Sequence, residues 1–196
     1  MPPAHIWERD ATVGTIERLL GEARQGFGRS LFIVGEAGLG KTTMLERAFA
    51  AGRGQFQISA GRGDAAESTL PFGIIDQALR GLGFRGPNDS RSGRPSPLQA
   101  RAAWLYAALE FLEELAGPAL LLLDDLHWAD DDSLALLSFL CRRIGSLPVA
   151  VIGTLRPWPR NALDMVGSLT TDGDAVIDRL RPLSEAGAAE MLTARA

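Results

Sequence analysis

The chain has 196 residues, 46% of them hydrophobic and 22% charged, which is ordinary globular usage and excludes disorder of the whole chain. The net charge of −4 gives no overall pull toward nucleic acid or anionic membrane, and the single cysteine, Cys141, excludes an internal disulfide framework. No apolar run approaches the roughly 18 to 20 residues that span a bilayer, and the start lacks a basic and then apolar leader. With the lone cysteine, this predicts a cytoplasmic protein without membrane contact.

In chain order, Ile16, Leu19, Leu20 and Ala23 recur at helical spacing until Gly26 and Gly28 interrupt them. Residues 30–34 read as a buried strand, 41–51 as a helix with Met44, Leu45 and Ala48 on one face, and 55–59 as a second strand. Strand, crossover helix and strand imply a parallel sheet. A helix is predicted over 70–82, with Pro71 in its first turn, and then a flexible surface loop over about 85–97. Arg85, Arg91 and Arg94 in that loop read as solvated, with a polyanion contact as the alternative.

Leu98, Ala102, Leu105, Leu109, Leu112 and Ala116 predict an amphipathic helix that packs one stripe onto the sheet, with a coiled-coil partner surface as the alternative. Residues 119–123 form a fully apolar strand with Asp124 and Asp125 at its carboxyl end. Leu134, Leu137, Leu140 and Ile144 mark the next helix, where Cys141 reads as a small core residue. A strand over 149–154, a last strand over 175–180 and a short helix from near Ser184 complete the pattern. The order, with the glycine-rich turn ending in Gly40-Lys41-Thr42 between the first strand and its helix, predicts one α/β domain over 1–196, a three-layer P-loop NTPase. Its open, doubly wound, mainly parallel five-stranded sheet carries helices on both faces and its ligand at the carboxyl ends of the strands.

Gly35-Glu36-Ala37-Gly38-Leu39-Gly40-Lys41-Thr42 matches G-x-x-x-x-G-K-[ST] at every fixed position. Backbone N–H groups can converge on phosphate oxygens only in a tightly wound loop, which needs glycine at awkward positions such as Gly38 and Gly40. The helix that follows aims its positive end at the anion. Lys41, at a helix start expected to face solvent, would reach the β- and γ-phosphates. Thr42 would offer a hydroxyl to Mg²⁺. Thr43 would bond the α-phosphate, or simply cap or pack. The expected ligand is ATP, or GTP, with Mg²⁺.

Asp124, leaving a buried strand beside this loop, is expected to hold Mg²⁺ through water, as a hard oxygen for a hard cation. Asp125 would orient or deprotonate the attacking water; the alternative is that Asp125 or Asp130 caps the next helix. His127 has no second His or Cys at ligand spacing, which argues against zinc. Trp128 reads as a packing residue, with relay of the nucleotide state as the alternative. Arg156 ends the next strand and would sense the γ-phosphate with its planar fork, or lie at the surface. Arg142 and Arg143 read as a solvated helix end, or as an arginine supplied to a neighbouring subunit.

Five stretches occur together here in one order: Trp7-Glu8-Arg9-Asp10, residues 35–42, Leu70-Pro71-Phe72-Gly73, the run LLLLDDLHWAD from Leu120 to Asp130, and Gly153-Thr154-Leu155-Arg156-Pro157. The chain resembles, over nearly its whole length, the AAA-type ATPase domain of large ATP-binding LuxR-family regulators of the STAND class. That resemblance implies a switch in which ATP binding and slow hydrolysis control opening and self-association and an output domain responds. It implies that Lys41, Thr42, Asp124, Asp125 and Arg156 carry the site, and that Arg9 lies on the base side of the nucleotide. The family often has Gly before that arginine; here the residue is Glu8. Family members continue into a helical lid, a sensor and a helix-turn-helix. This sequence ends about where the lid would begin, which predicts a fragment or a truncated gene product with no direct DNA binding of its own. The competing readings are a P-loop small-molecule kinase and a nucleotide-dependent binding module that does not hydrolyse.

Overall fold

A computed structural model describes residues 7–87 and 96–193. The element order is α1 (Asp10–Arg24), β1 (Arg29–Val34), α2 (Lys41–Gly52), β2 (Gln57–Arg62), α3 (Gly73–Gly81), α4 (Pro97–Glu113), β3 (Ala119–Asp124), α5 (Asp131–Cys141), β4 (Val149–Leu155), α6 (Arg160–Asp172), β5 (Val176–Arg179) and α7 (Glu185–Thr193). The strands lie in the order β2-β3-β4-β1-β5, and every pairing is parallel. The expected mainly parallel sheet is therefore wholly parallel among the described residues.

Strand periodicity sorts the core into two layers. Leu31, Ile33, Leu120, Leu122, Ala150 and Ile152 face Ile16, Leu19 and Leu20 of α1 and Met44, Leu45 and Ala48 of α2. Their neighbours Phe32, Val34, Leu121, Leu123, Val149 and Val151 face the opposite way, toward α3, α5 and α6. One-residue alternation along fully apolar strands is what burial on both faces requires. Helices therefore cover both sides of the sheet, as expected.

Three elements differ from the sequence reading. Strand β2 runs later than 55–59, because the polar residues at its end still pair along β3, as in Arg62 opposite Asp124. Helix α3 starts at Gly73 and not at Leu70, because Phe72 takes a left-handed φ of 62° that no helix continues. Helix α6, with Ala162, Val166 and Leu169 buried at helical spacing, adds an element between the last two strands that the sequence pattern does not predict.

Helix α4 is an outer helix. Its contacts run to α5 through the Arg101–Asp132 ion pair at 2.9 Å, and Trp104 stacks on Phe72 at 4.7 Å between ring centres. The predicted stripe is buried only in part: Leu112 is covered, whereas Leu98 is 77% exposed. Ser96 caps α4 in a reciprocal bond pair with Gln99, so the expected loop 85–97 ends sooner; its residues 88–95 lie outside those described. No described helix is long and apolar enough to cross a membrane.

Cys141 is buried at the end of α5, and burial pushes its thiol up to about 12. It is expected to resist iodoacetamide at pH 8 in the folded protein and to react once denaturant is added. Rapid labelling of the native protein would contradict this placement.

Candidate functional site

The site forms where β3, β4 and β1 lie side by side. In register, Leu123 of β3 stands opposite Gly153, and Ile33 of β1 opposite Thr154. The loop after β1, the acidic end of β3 and the polar end of β4 therefore converge at the carboxyl ends of the central strands. Gly38 and Gly40 have φ of 81° and 87°, the left-handed winding a phosphate cradle needs. Glu36, Ala37 and Gly38 are exposed, and Leu39 and Gly40 half-buried, so the loop faces outward ahead of α2.

Lys41 departs from expectation. It is 7% exposed, not solvent-facing, and its Nζ donates to the carbonyls of Gly35 at 2.7 Å and Glu36 at 2.8 Å. Burial lowers its pKa, as does the Arg156 charge, while Asp125, Asp124 and Glu36 act against both. Thr43 is half-buried in the first turn of α2.

Asp124 is the hub. Its Oδ2 accepts from the Thr42 hydroxyl at 3.1 Å, and its Oδ1 accepts from the Thr154 hydroxyl and from the Asp125 N–H at 3.1 Å. The Asp125 N–H also donates to Thr154 Oγ1 at 3.0 Å. The two oxygens expected to face Mg²⁺ are thus side by side, a donor set of the right chemistry for a hard cation. Thr154 escaped the sequence reading; its signal was a lone hydroxyl ending the apolar run Val149-Ala150-Val151-Ile152-Gly153.

Asp125 sits at a left-handed φ of 56°, which turns the chain out of β3 into the 3-10 turn Leu126–Trp128. Its carboxylate pairs with Arg62 Nη2 at 3.4 Å, from the end of β2. Beyond β2, Gly63 passes so close that a Cβ there would lie 2.4 Å from the Asp125 carbonyl oxygen. On the other carboxylate oxygen, His127 Nδ1 stands 3.8 Å away. The His127 ring is buried and tilted against Trp128 at 5.1 Å, and neither nitrogen has a hydrogen-bond partner among the described residues. Burial pushes its pKa down, and the Arg156 and Lys41 charges add to this against Asp125 and Asp124, which favours the uncharged ring. Arg156 follows β4 with its Nε buried and without a hydrogen-bond partner among the described residues. An unpartnered guanidinium N–H beside a lysine held only by its own loop suits a site for a multiply charged anion.

Arg9 lies on the opposite flank. Its Nη2 donates to the Leu39 carbonyl at 3.2 Å and the Arg181 carbonyl at 2.8 Å, tying the phosphate loop to the segment after β5. Glu8 takes a left-handed φ of 54°, and its carboxylate accepts from the Ser184 N–H at 2.8 Å and from the Ser184 hydroxyl. Glycine adopts that backbone conformation without strain, which gives a physical reason for its frequent use there in the resembling family.

The capping role belongs to Asp130. Its carboxylate accepts from Ser133 N–H at 2.8 Å, Phe72 N–H at 2.9 Å, Gly73 N–H at 3.1 Å and the Ser133 hydroxyl at 2.5 Å. It thereby joins the Leu70–Gly73 and Leu120–Asp130 stretches, two motifs with no evident link in sequence. Asp130→Ala removes a cap and strands a buried N–H, so a loss of about 2 kcal/mol is expected. Thermal unfolding by circular dichroism measures it, and a midpoint within about one degree of wild type would refute the role. A cavity of about 500 Å³ lies beside this cap, lined by His127, Trp128, Pro71 and Asn161 among others; none of its lining residues belongs to the phosphate loop.

Residues 6–152 match the model of the AAA ATPase domain. The chain is a member of that family. No curated protein matches it. Among solved structures, the AAA domain is similar to Cdc6p from Pyrobaculum aerophilum, with a TM-score of 0.71 and 20% identity over 100% of this chain and 51% of that one. It is also similar to Orc1 of Aeropyrum pernix, solved in complex with DNA, with a TM-score of 0.66 and 17% identity over 98% of this chain and 50% of that one. The Drosophila origin recognition complex (ORC) bound to DNA gives a TM-score of 0.60 and 16% identity over 95% of this chain and 46% of that one. At these identities the likeness establishes the fold alone. The AAA domain spans about half the length of these relatives.

Proposed function

We propose that this AAA domain is the nucleotide-operated switch of a signal-transduction ATPase of the STAND class, in the setting of a LuxR-family regulator. The observation that carries the nucleotide reading is the Asp124 network, which fastens Thr42 of the phosphate loop to Thr154 of β4 beside the unpartnered Arg156 Nε. In this reading the loop residues 35–42, with Thr43, bind the phosphates of ATP or GTP. Thr42 and Asp124 hold Mg²⁺, which supplies charge neutralisation on the phosphates when bound. Lys41 leaves its loop carbonyls for the β- and γ-phosphates, Arg156 meets the γ-phosphate, and Asp125 orients water. The switch and regulator parts of the proposal rest on the motif resemblance.

Hydrolysis is expected to be slow, below the usual enzyme range of about 1–10³ per second. Asp125 is a short carboxylate already paired with Arg62, and no arginine of a neighbouring subunit is assumed. Arg9, bonded to the loop and to the segment after β5, fits a role that couples nucleotide occupancy to α7 at least as well as one at the base. Measuring ADP and phosphate release with and without candidate acceptors tests the proposal. Slow phosphate release independent of acceptors supports the switch, acceptor-dependent ADP release supports a kinase, and binding without any release supports a non-hydrolysing module.

The domain itself is not expected to bind duplex DNA. The net charge is −4, and nothing in the sequence reads as a recognition helix. A gel shift at physiological salt should show no sequence-dependent band; a salt-resistant specific one would contradict this.

A further inference from the structure

We infer that His127 is a positioning residue for Asp125, donating a hydrogen bond from Nδ1 to Asp125 Oδ1 when nucleotide is bound. The inference rests on the hydrolytic reading above, and it begins from an imbalance. A buried imidazole without a hydrogen-bond partner is destabilising by about 1–3 kcal/mol, so such a group calls for a reason. Both nitrogens of His127 are in that position, and the side chain is only 1% exposed. Asp125 Oδ1 stands 3.8 Å from Nδ1, just beyond hydrogen-bond reach. Bringing that gap to hydrogen-bond length takes about 1 Å of movement.

The movement available is a turn of the Asp125 carboxylate. Its other oxygen is held by Arg62, whose side chain is 73% exposed and whose contact is long at 3.4 Å. An exposed pair of that length is weak. The backbone of Asp125, in contrast, is fixed, because its N–H is shared between Asp124 Oδ1 and Thr154 Oγ1. A carboxylate on a fixed backbone, with a weak outer partner and a buried inner one, has two places to rest. His127 defines the inner place, and Trp128, packed against the ring, limits how the imidazole can turn.

Three substitutions separate positioning from packing. His127→Phe keeps the ring and removes the donor. His127→Asn places an amide nitrogen where Nδ1 stands, and His127→Gln places one where Nε2 stands. Under single-turnover conditions, His127→Phe and His127→Gln should slow phosphate release about tenfold, the worth of one positioned hydrogen bond, with ATP affinity unchanged. His127→Asn should stay near the wild-type rate. In an Asp125→Asn background, His127→Phe should add no further loss.

A second measurement does not need turnover. The chain has two histidines, His5 and His127. In ¹⁵N-histidine-labelled protein, Mg²⁺ with the β,γ-imido analogue of ATP should give His127 Nδ1 the signal of a protonated donor, and Asp125→Ala should abolish that change. Equal rates in wild type and His127→Phe, or an Nδ1 signal that ignores the analogue or Asp125→Ala, would overturn the inference. Calorimetry on the same samples shows separately whether nucleotide binds. Absence of binding, or a wild-type rate in Asp125→Asn, counts against the hydrolytic reading itself.

Discussion

Lys41→Ala is expected to weaken ATP binding by roughly one to two decades, the worth of a charge-assisted contact of about 1.5–3 kcal/mol. The ammonium is the cation built into the cradle, and the structure adds a second consequence. Nζ donates to two carbonyls of the loop, so the substitution also removes an internal brace. Lys41→Arg separates the two effects. It keeps the charge but carries a wide planar fork that does not fit a space shaped for a point charge, so it should bind nearly as poorly as Lys41→Ala. The fold should persist in both, because Nζ braces the carbonyls of Gly35 and Glu36 within the loop and joins no two elements of the sheet. Calorimetric titration with ATP checks the affinity, and circular dichroism checks the fold. Unchanged affinity in Lys41→Ala would sink the phosphate-loop assignment.

Asp125→Asn is expected to slow phosphate release by about a hundredfold or more, the range typical of losing a general base, while ATP affinity changes little. The amide keeps the size of the side chain but can no longer accept a proton from water. Asp124→Asn should behave differently. Asp124 accepts from Thr42, Thr154 and the Asp125 N–H, so the amide disturbs the network and weakens Mg²⁺-dependent binding along with turnover. Measuring affinity and single-turnover rate in both variants distinguishes the roles. A normal rate in Asp125→Asn would remove that residue from the chemistry.

The parts of this molecule that sequence made legible are those written in local pattern. The strands at 30–34, 119–123 and 149–154 are short apolar runs between turn signals, and they lie at the centre of the sheet, where both faces are buried. The phosphate loop is a contiguous motif whose glycines have a steric purpose. Elements at the margin were harder. Strand β2 is an edge strand with exposed positions, so its polar end, Arg62, looked like loop. Helix α6 contains Gly167, Ser168, Thr170 and Thr171, poor helix formers that hid the buried spacing of Ala162, Val166 and Leu169. The parallel pairing of β1 with both β4 and β5 requires a crossover there, but that is a fact of topology.

The site divided in the same way. Lys41, Thr42, Asp124, Asp125 and Arg156 are legible from motif and strand position, and the fold gathers them at the carboxyl ends of the central strands. What could not be read were contacts between distant segments. Asp130 with Phe72, Thr154 with Asp124, Arg62 with Asp125 and Arg9 with Arg181 all depend on how the sheet is ordered. The burial of Lys41 has the same origin: a helix start reads as exposed until the loop before it folds over the side chain.

The most direct test of the central claim is calorimetric titration of the native chain with ATP, first with Mg²⁺ and then with the metal chelated. Saturable binding of one ATP per chain, weakened when Mg²⁺ is removed, is the predicted result. No saturable binding of ATP or GTP under either condition, by protein shown to be folded, would contradict it.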